Sequence, residues 1–178
     1  MLQKCSLWVV ASVFFLEPTT NHYLMEISRK TKLAHTSVKK HLEALKKKDI
    51  IKEFIEVKGA RKYPFFKANI DSVEYKSKKE LHNLFMVQES GLIEFLKTNY
   101  MPKSIVLFGS YARAEDIEDS DIDIFIESKR EELNLKKFES LLGRKIQLHF
   151  RENFKDYSKE LKNNILNGII LQGYLEVF

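Results

Sequence analysis

The sequence predicts an α+β protein built from two small domains that are joined by a helix. Three observations support this fold class. Apolar residues recur at helical spacing through the first 48 residues, two β-prone runs follow them, and short β-branched runs recur after residue 100. Hydrophobic residues make up 44% and charged residues 31% of the 178 residues, which excludes a disordered chain. We expect a first domain at 1–70, a connecting helix at 71–100 and a second domain at 101–178.

The first helix is expected in the apolar run 7–16, which ends near Pro18. The run resembles the hydrophobic region of a signal peptide, but the residues that follow it lack a small-residue cleavage site. It is also shorter than the roughly 20 apolar residues that span a bilayer, so we expect a buried helix and no membrane partner. Cys5 is the single cysteine and cannot close an intrachain disulfide, which favours the cytoplasm.

Positive charge is concentrated in the first half of the chain, although the formal net charge is only +5. Twelve lysines and arginines but only four acidic residues lie between Arg29 and Lys62. From Met101 onward the two signs nearly balance, and the acidic residues cluster between Glu115 and Asp123. This asymmetry predicts an anionic partner for the first half and a cation site for the second.

Two further helices are expected before residue 49. One covers 23–31, and the other contains Val38, Leu42 and Leu45 at helical spacing, with its lysines facing elsewhere. Thr36 or Ser37 is a plausible cap for this third helix. The first half is therefore predicted to hold a pair of helices joined by a tight turn.

A hairpin with a cationic tip is predicted next. The β-prone runs 50–57 and 63–68 flank a basic, glycine-containing loop at 58–62. Three helices followed by such a hairpin resemble the winged helix-turn-helix family, which implies double-stranded DNA as a partner, with a recognition helix at 36–48 and a wing at 58–62. The candidate DNA-binding residues are His35, Thr36, Ser37, Lys39, Lys40, Arg61 and Lys62. The alternative is that the lysines form only a solvated helix face.

Residues 69–100 are polar at first and then show apolar residues at helical spacing, which predicts the connecting helix. Gly91 is expected to bend this helix or divide it in two, and Pro102 follows its end.

A phosphate site is predicted where the apolar run 104–108 stops at Gly109 and Ser110. A buried strand that leads through a glycine turn into a helix start at 111–115 directs backbone N–H groups and the Ser110 hydroxyl toward one point. Gly109 is needed there because a side chain would block close approach of the backbone or strain the turn.

A divalent cation site is predicted at Asp121 and Asp123. In a strand these two aspartates project from one face, while the isoleucines that alternate with them enter the core. Adjacent carboxylates repel each other unless a cation neutralises them, and hard oxygen ligands are those that Mg²⁺ prefers. A Gly-Ser pair or an Asp-x-Asp pair is a weak signal alone, but the two together are specific.

The stretch 109–123 resembles the glycine-serine and aspartate-x-aspartate signature of the polymerase-beta-like nucleotidyltransferases, and is closest to their minimal members. The resemblance implies a small domain with a mixed sheet and flanking helices, in which Gly109 and Ser110 hold a nucleoside triphosphate. Asp121 and Asp123 would be catalytic and bind two Mg²⁺ (or Mn²⁺) ions. Arg113 would either contact phosphate or pair with Glu118 or Asp119 in the loop. The tail 165–171 also resembles the closing helix of minimal members.

Two positions depart from the family pattern. Ala114 replaces a usual glycine, which is expected to stiffen the helix start and narrow the pocket slightly. Gln147 stands in the strand in which active relatives place a third aspartate, and an amide has no charge and negligible basicity. His149, on the same strand face, is a candidate ligand or base in its place, and Glu127 is a remoter substitute.

Two functions follow from these observations. The first is a DNA-binding regulator or antitoxin whose second domain binds nucleoside triphosphate and Mg²⁺ with impaired catalysis. The second is an active transferase that moves a nucleoside monophosphate to a hydroxyl of a protein, an RNA or a small molecule. The resemblance permits a HEPN-type toxin as protein partner, and homodimerisation would suit paired DNA half-sites.

Overall fold

A computed structural model describes residues 5–129, 132–151, 154 and 157–176, with only the backbone of Lys58. The side chain of Lys58, part of the predicted basic loop, therefore lies outside the described part of the chain. The chain divides into two compact units, Met1–Lys79 and Glu80–Phe178. Across the described residues, no helix combines the length and the apolar character that crossing a membrane requires.

The first unit combines three helices with a three-stranded antiparallel sheet of order β1-β3-β2. Its elements are α1 (Ser6–Leu16), β1 (His22–Tyr23), α2 (Leu24–Thr31), α3 (His35–Lys47), β2 (Ile51–Lys58) and β3 (Arg61–Ala68). The hairpin of β2 and β3 turns at Gly59, whose φ of 62° suits a residue without a β-carbon. The apolar faces of all three helices pack on one side of the sheet, in a core that includes Phe14, Ile27, Leu42 and Phe66.

One local expectation for the first unit is wrong, and one strand was not predicted. Helix α3 begins at His35, and its N-cap is Ala34, which makes no side-chain cap bond, so neither Thr36 nor Ser37 caps it. The helix start follows from the turn after α2, where Lys32 adopts a left-handed φ of 58°. Strand β1 was not expected, because two residues carry no periodicity and this strand exists only through its pairing with β3.

The segment between the sheets forms two helices, α4 (Val73–Glu89) and α5 (Leu92–Tyr100). They are divided at Gly91, which has a φ of 76° and serves as the N-cap of α5. Tyr75 in α4 belongs to the core of the first unit and donates its hydroxyl to the Phe14 carbonyl at 3.0 Å. Val87, three turns later, belongs to the core of the second unit.

The second unit is built on a four-stranded sheet of order β6-β5-β4-β7. Strand β4 pairs antiparallel with β5 and β7, whereas β5 and β6 are parallel, so the predicted α+β class and mixed sheet are confirmed. The remaining elements are β4 (Ser104–Phe108), α6 (Gly109–Ala112), β5 (Ile122–Glu127), α7 (Lys136–Leu142), β6 (Ile146–Arg151), α8 (Lys159–Leu166) and β7 (Ile169–Gly173).

Both faces of this sheet are covered, which explains the continuous apolar runs 105–108 in β4 and 124–126 in β5. One face carries a core that includes Leu96, Leu107, Ile124 and Phe138. The opposite face carries a second core that includes Val106, Phe125, Phe154 and Ile165.

The expectation of one closing helix over 165–171 is wrong. Helix α8 ends at Leu166, and Ile169–Gly173 forms β7 on the edge of the sheet. A β-carbon at Gly168 would lie 2.5 Å from the Leu107 carbonyl oxygen, so the chain can approach β4 closely only through glycine. The β-branched residues after it then extend the antiparallel ladder on β4.

Candidate functional site

The sheet of the second unit brings the two predicted motifs together at one edge. Phe108, the last residue of β4, lies opposite Asp123 in the antiparallel register, so Gly109 follows directly beside that aspartate. Asp121 immediately precedes β5, and both aspartates are half-buried. The parallel register on the other side places Gln147 beside Asp123 and His149 beside Phe125. Polar side chains from β5, from β6 and from the residue before β5 therefore lie close together next to the Gly-Ser turn.

Gly109 is required by its conformation and by its neighbour. Its φ is 77°, and a β-carbon built on it would lie 2.5 Å from Oδ2 of Asp123, closer than real β-carbons approach. The expectation that a side chain would strain this turn and block close approach is consistent with this geometry. Ser110 follows, half-buried, at the start of α6.

Helix α6 begins earlier and is shorter than expected. It covers Gly109–Ala112 and ends at Arg113, instead of beginning near Tyr111. Ala114 comes after the helix, with a left-handed φ of 56°, so it terminates α6 and does not stiffen the start. The family's usual glycine is understandable at such a position, since an L-residue with this φ is strained.

Side chains from β6 lie within hydrogen-bond distance of the two aspartates. Gln147 Nε2 donates to Asp121 Oδ2 at 2.6 Å, and His149 Nε2 lies 3.1 Å from Asp123 Oδ1. A carboxylate only accepts hydrogen bonds, so this second contact requires a proton on Nε2 of His149. The imidazole also packs edge-on against Phe108, with ring centroids 5.0 Å apart. A role for His149 as base or ligand through Nε2 would therefore require it to leave Asp123.

The donor set fits a hard divalent cation. Among the hydrogen bonds of the described residues, Asp121 uses Oδ2 and Asp123 uses Oδ1, so each carboxylate keeps a second oxygen. The Oδ2 atom of Asp123 is the one that faces Gly109. Two carboxylate oxygens beside a turn of backbone amides suit Mg²⁺, which commonly binds one or two carboxylates together with substrate phosphates.

Two other predicted site residues have different neighbours. Arg113 donates from Nε to Glu115 at 2.9 Å in an exposed pair, so the expected partner in the loop, Glu118 or Asp119, is replaced by a nearer acid. Contact of Arg113 with phosphate stays a prediction. Glu127 is buried at the far end of β5 and accepts the Ser104 hydroxyl at 3.0 Å, so it does not substitute for a third carboxylate.

A buried ionic network behind the site was not predicted. Arg144 lies 3.5 Å from Asp116, with side chains only 7% and 1% exposed, and it also donates to the Glu118 carbonyl. Asn83 Nδ2 donates at 2.9 Å both to Asp116 and to the Tyr111 carbonyl. Burial, followed by the negative charge of Asp116, raises the pKa of the Tyr111 hydroxyl. The network ties the loop that leads into Asp121 to α4 and to the start of β6. The partners lie far apart in sequence, and no local sequence pattern predicts their contact.

We expect Asp116→Ala to destabilise the second unit by about 3–5 kcal/mol, because it removes the buried carboxylate that pairs with the Arg144 guanidinium. Urea unfolding monitored by circular dichroism measures this loss. Arg113→Ala is the matched control, since its ion pair is exposed and should contribute about 1 kcal/mol or less. Equal losses for the two variants would refute the structural role of the buried network.

An open pocket of about 690 Å³ adjoins Asp121 on the side of β6 and α7. Gly109 and Ser110 are not among its lining residues. It is lined by Glu118, Asp119, Ser120, Asp121, Lys136, Glu139, Ser140, Gly143, Arg144 and Lys145.

A separate cluster in the first unit also has metal-like composition. Ligand atoms of Glu17, His22 and Glu26 lie within 4.8 Å of one another. However, Lys30 Nζ already bridges Glu17 at 2.5 Å and Glu26 at 2.8 Å. Burial acts to raise the pKa of Glu26, but hydrogen bonds from Lys30, the Tyr23 amide and His22 outweigh it and lower that pKa. The lysine supplies the positive charge, so this cluster is not the predicted cation site.

The predicted DNA-binding residues lie on the surface of the first unit. His35, Thr36, Lys39 and Lys40 are exposed on α3. Ser37 is half-buried, and its hydroxyl lies 3.4 Å from His41 Nε2. Arg61 and Lys62 are exposed at the start of β3. Their contact with DNA stays a prediction.

Comparison with known proteins identifies the second half of the chain. The model of the nucleotidyltransferase domain family matches residues 89–171. Two Methanocaldococcus jannaschii proteins, both provisionally named protein adenylyltransferase, are 48% identical over 63 residues and 44% identical over 69 residues. These matches cover 31% and 35% of this chain.

The first match covers 63% of its relative, just under two thirds of that protein's length, and the second covers 70%. No solved structure is significantly similar to the chain. High identity to a relative that is matched over more than two thirds of its length, together with the family match and the Gly-Ser and Asp-x-Asp geometry, shows that this chain belongs to the nucleotidyltransferase domain family.

Proposed function

We propose that this protein is a DNA-binding regulator of the antitoxin type whose nucleotidyltransferase domain binds a nucleoside triphosphate with Mg²⁺ and transfers nucleotide only weakly. The observation that carries the proposal is the contact between Gln147 and Asp121. An amide donor stands beside the two carboxylates, at the position where the family resemblance calls for a third carboxylate. Domains of this family generally use a divalent metal, and the aspartates offer it two oxygens.

Separate residues of the site would bind the phosphates and the metal ion. Gly109 lets the turn pass close to Asp123, and the Ser110 hydroxyl can donate to a phosphate oxygen. Asp121 and Asp123 would hold Mg²⁺, which would neutralise charge on the phosphates. The pocket that adjoins Asp121 is large enough to receive part of the nucleotide or an acceptor group. Gln147 cannot take the proton of an attacking hydroxyl, and this slows transfer.

Removing the two charges tests the binding claim. We expect Asp121→Asn/Asp123→Asn to abolish the Mg²⁺-dependent thermal stabilisation by ATP, because neutral amides are poor ligands for a hard cation. Differential scanning fluorimetry with ATP, CTP, GTP and UTP, with and without Mg²⁺ or Mn²⁺, measures the shift. An unchanged shift in the double variant would place the nucleotide elsewhere.

Several features of the first unit support DNA binding. Its order of elements, three helices followed by a hairpin, resembles that of the winged helix-turn-helix family. Its exposed basic residues lie on α3 and at the tip of the hairpin. Winged helix-turn-helix domains use these two elements to contact the major groove and the phosphates of DNA. The regulator would then bind paired half-sites as a homodimer, and a HEPN-type toxin would be its protein partner.

We expect Lys39→Glu/Lys40→Glu to weaken binding to duplex DNA and to reduce the slope of log affinity against log salt by about 2, one for each lost phosphate contact. Gel retardation across salt concentrations measures both quantities. The matched control is Lys76→Glu/Lys78→Glu on α4, which makes the same charge change away from α3. If the two double variants weaken DNA binding equally, the binding depends only on the net charge of the protein and not on the position of Lys39 and Lys40.

A second candidate is transfer of AMP to a protein hydroxyl, which the names of the two Methanocaldococcus jannaschii relatives favour. It predicts that the wild-type protein labels an acceptor protein from α-labelled ATP and that Asp121→Asn/Asp123→Asn abolishes the label. Binding of ATP without labelling supports the weak-transfer proposal instead.

A further inference from the structure

The sheet of the first unit has one face toward the core and one toward solvent. Side chains alternate, so Phe66 and Ile51 enter the core while Phe65 and Phe54 project from the opposite side. We call this solvent-facing side the outer face. Its residues are Tyr23 from β1, Lys52, Phe54 and Glu56 from β2, and Arg61, Tyr63, Phe65 and Lys67 from β3.

Aromatic rings form a platform in the middle of the outer face. Phe54 and Phe65 are directly opposite each other and nearly parallel, with centroids 5.4 Å apart and planes inclined by 18°. Tyr23 extends the platform from the other side of Phe65, with centroids 6.1 Å apart. Phe54 is 42% exposed and Tyr63 is 37% exposed. Adjacent exposed rings of this kind mark a binding surface more often than isolated exposed residues do.

Cationic residues lie at both ends of this platform. Lys52 pairs directly with Lys67, an arrangement of like charges that destabilises a sheet. No ion pair offsets either lysine within the residues that the structure describes. At the other end, Arg61 is exposed next to the turn of the hairpin. Glu56, the acid between them, accepts the Tyr23 hydroxyl at 2.6 Å. An anion beside Lys52 and Lys67 would relieve their repulsion.

We propose that the outer face binds single-stranded nucleic acid, with a base stacked on Phe54, the exposed ring of the Phe54–Phe65 pair, and phosphates against Lys52 and Lys67. Stacking on flat rings flanked by cations is how proteins bind single strands without sequence preference. A duplex does not fit this chemistry, because the flat faces of its bases are already covered by neighbouring base pairs. The site is separate from α3, and it does not depend on the nucleotide bound in the second unit.

Fluorescence anisotropy of the full chain with a labelled oligonucleotide of about 12 nucleotides, as single-stranded RNA, single-stranded DNA and duplex DNA, tests this proposal. We expect Phe54→Leu, which keeps an apolar side chain but removes the flat ring, to weaken single-strand binding about 5- to 100-fold. Ile55→Leu is the matched control on the opposite face of β2. It should leave affinity unchanged, and thermal melting of both variants verifies folding.

Lys52→Ala/Lys67→Ala provides a second, independent readout. We expect it to reduce the salt slope of single-strand binding by about 1.4 while melting remains at or above the wild-type temperature, because the lysine repulsion is removed. Single-strand affinity that survives Phe54→Leu overturns the proposal. It is also overturned if Lys39→Glu/Lys40→Glu removes single-strand and duplex binding together, or if poly-glutamate competes as well as oligonucleotide, which would indicate an acidic protein partner.

Discussion

Replacing Gln147 with aspartate is expected to raise the rate of nucleotidyl transfer by about 10²- to 10⁴-fold, the contribution that a positioned general base commonly makes. The residue lies within hydrogen-bond distance of Asp121 and in register with Asp123. A carboxylate there would add a third hard ligand beside the other two and could accept a proton from an attacking hydroxyl. Transfer of label from α-labelled ATP to added protein, RNA and small-molecule acceptors measures the change.

Gln147→Asn is the matched control, because asparagine has the length of aspartate without its charge. A second readout is stability, since three adjacent carboxylates repel each other in the absence of a cation. Gln147→Asp should therefore melt lower than Gln147→Asn without metal and gain more from added Mg²⁺. If the aspartate and asparagine variants transfer label equally, Gln147 is not the reason for weak transfer.

Gly109→Ala is the second substitution with a large expected effect. The new β-carbon would meet Asp123 Oδ2, so either the aspartate or the turn must move. We expect the free energy of unfolding to fall by about 1–3 kcal/mol more than left-handed strain alone would lower it. We also expect the variant to lose the thermal shift given by ATP and Mg²⁺. Urea unfolding and scanning fluorimetry measure the two effects.

Gly91→Ala isolates the strain. Gly91 has nearly the same φ, 76° against 77°, and a β-carbon there meets nothing within 4 Å. The free energy of unfolding of Gly91→Ala should therefore fall by only about 1 kcal/mol, the cost of holding an alanine at a left-handed φ. The variant should retain the thermal shift given by ATP and Mg²⁺. Similar behaviour of both variants would mean that Gly109 serves only the conformation of the turn, without a role in placing Asp123.

The second domain could be predicted well because its chemistry depends on local patterns. Period-two alternation places Asp121 and Asp123 on one face of any strand that buries the intervening isoleucines. The Gly-Ser pair after a fully buried run marks a tight turn whichever strands surround it. Together these patterns were sufficient to recognise the nucleotidyltransferase family, which the comparisons confirm.

Local patterns were less informative at the ends of elements. Thr36 and Ser37 are good caps in isolation, but the turn after α2 starts α3 at His35. The apolar tail 165–171 suits a helix or a strand equally well. Whether this tail forms a helix or a strand depends on Gly168. The close approach of Gly168 to Leu107 lets the following residues pair with β4.

The sequence by itself determined the α+β class, the Gly109-Ser110 turn, the Asp121 and Asp123 pair and the amide at Gln147, because each follows from residue type and short-range periodicity. Only the tertiary structure decided what those residues touch. The parallel register of β5 and β6 placed Gln147 on Asp121 and His149 on Asp123, and folding joined Asp116 to Arg144 in a buried pair. Such contacts join residues more than 20 positions apart, and their partners are selected by strand register and burial, which no local spacing encodes.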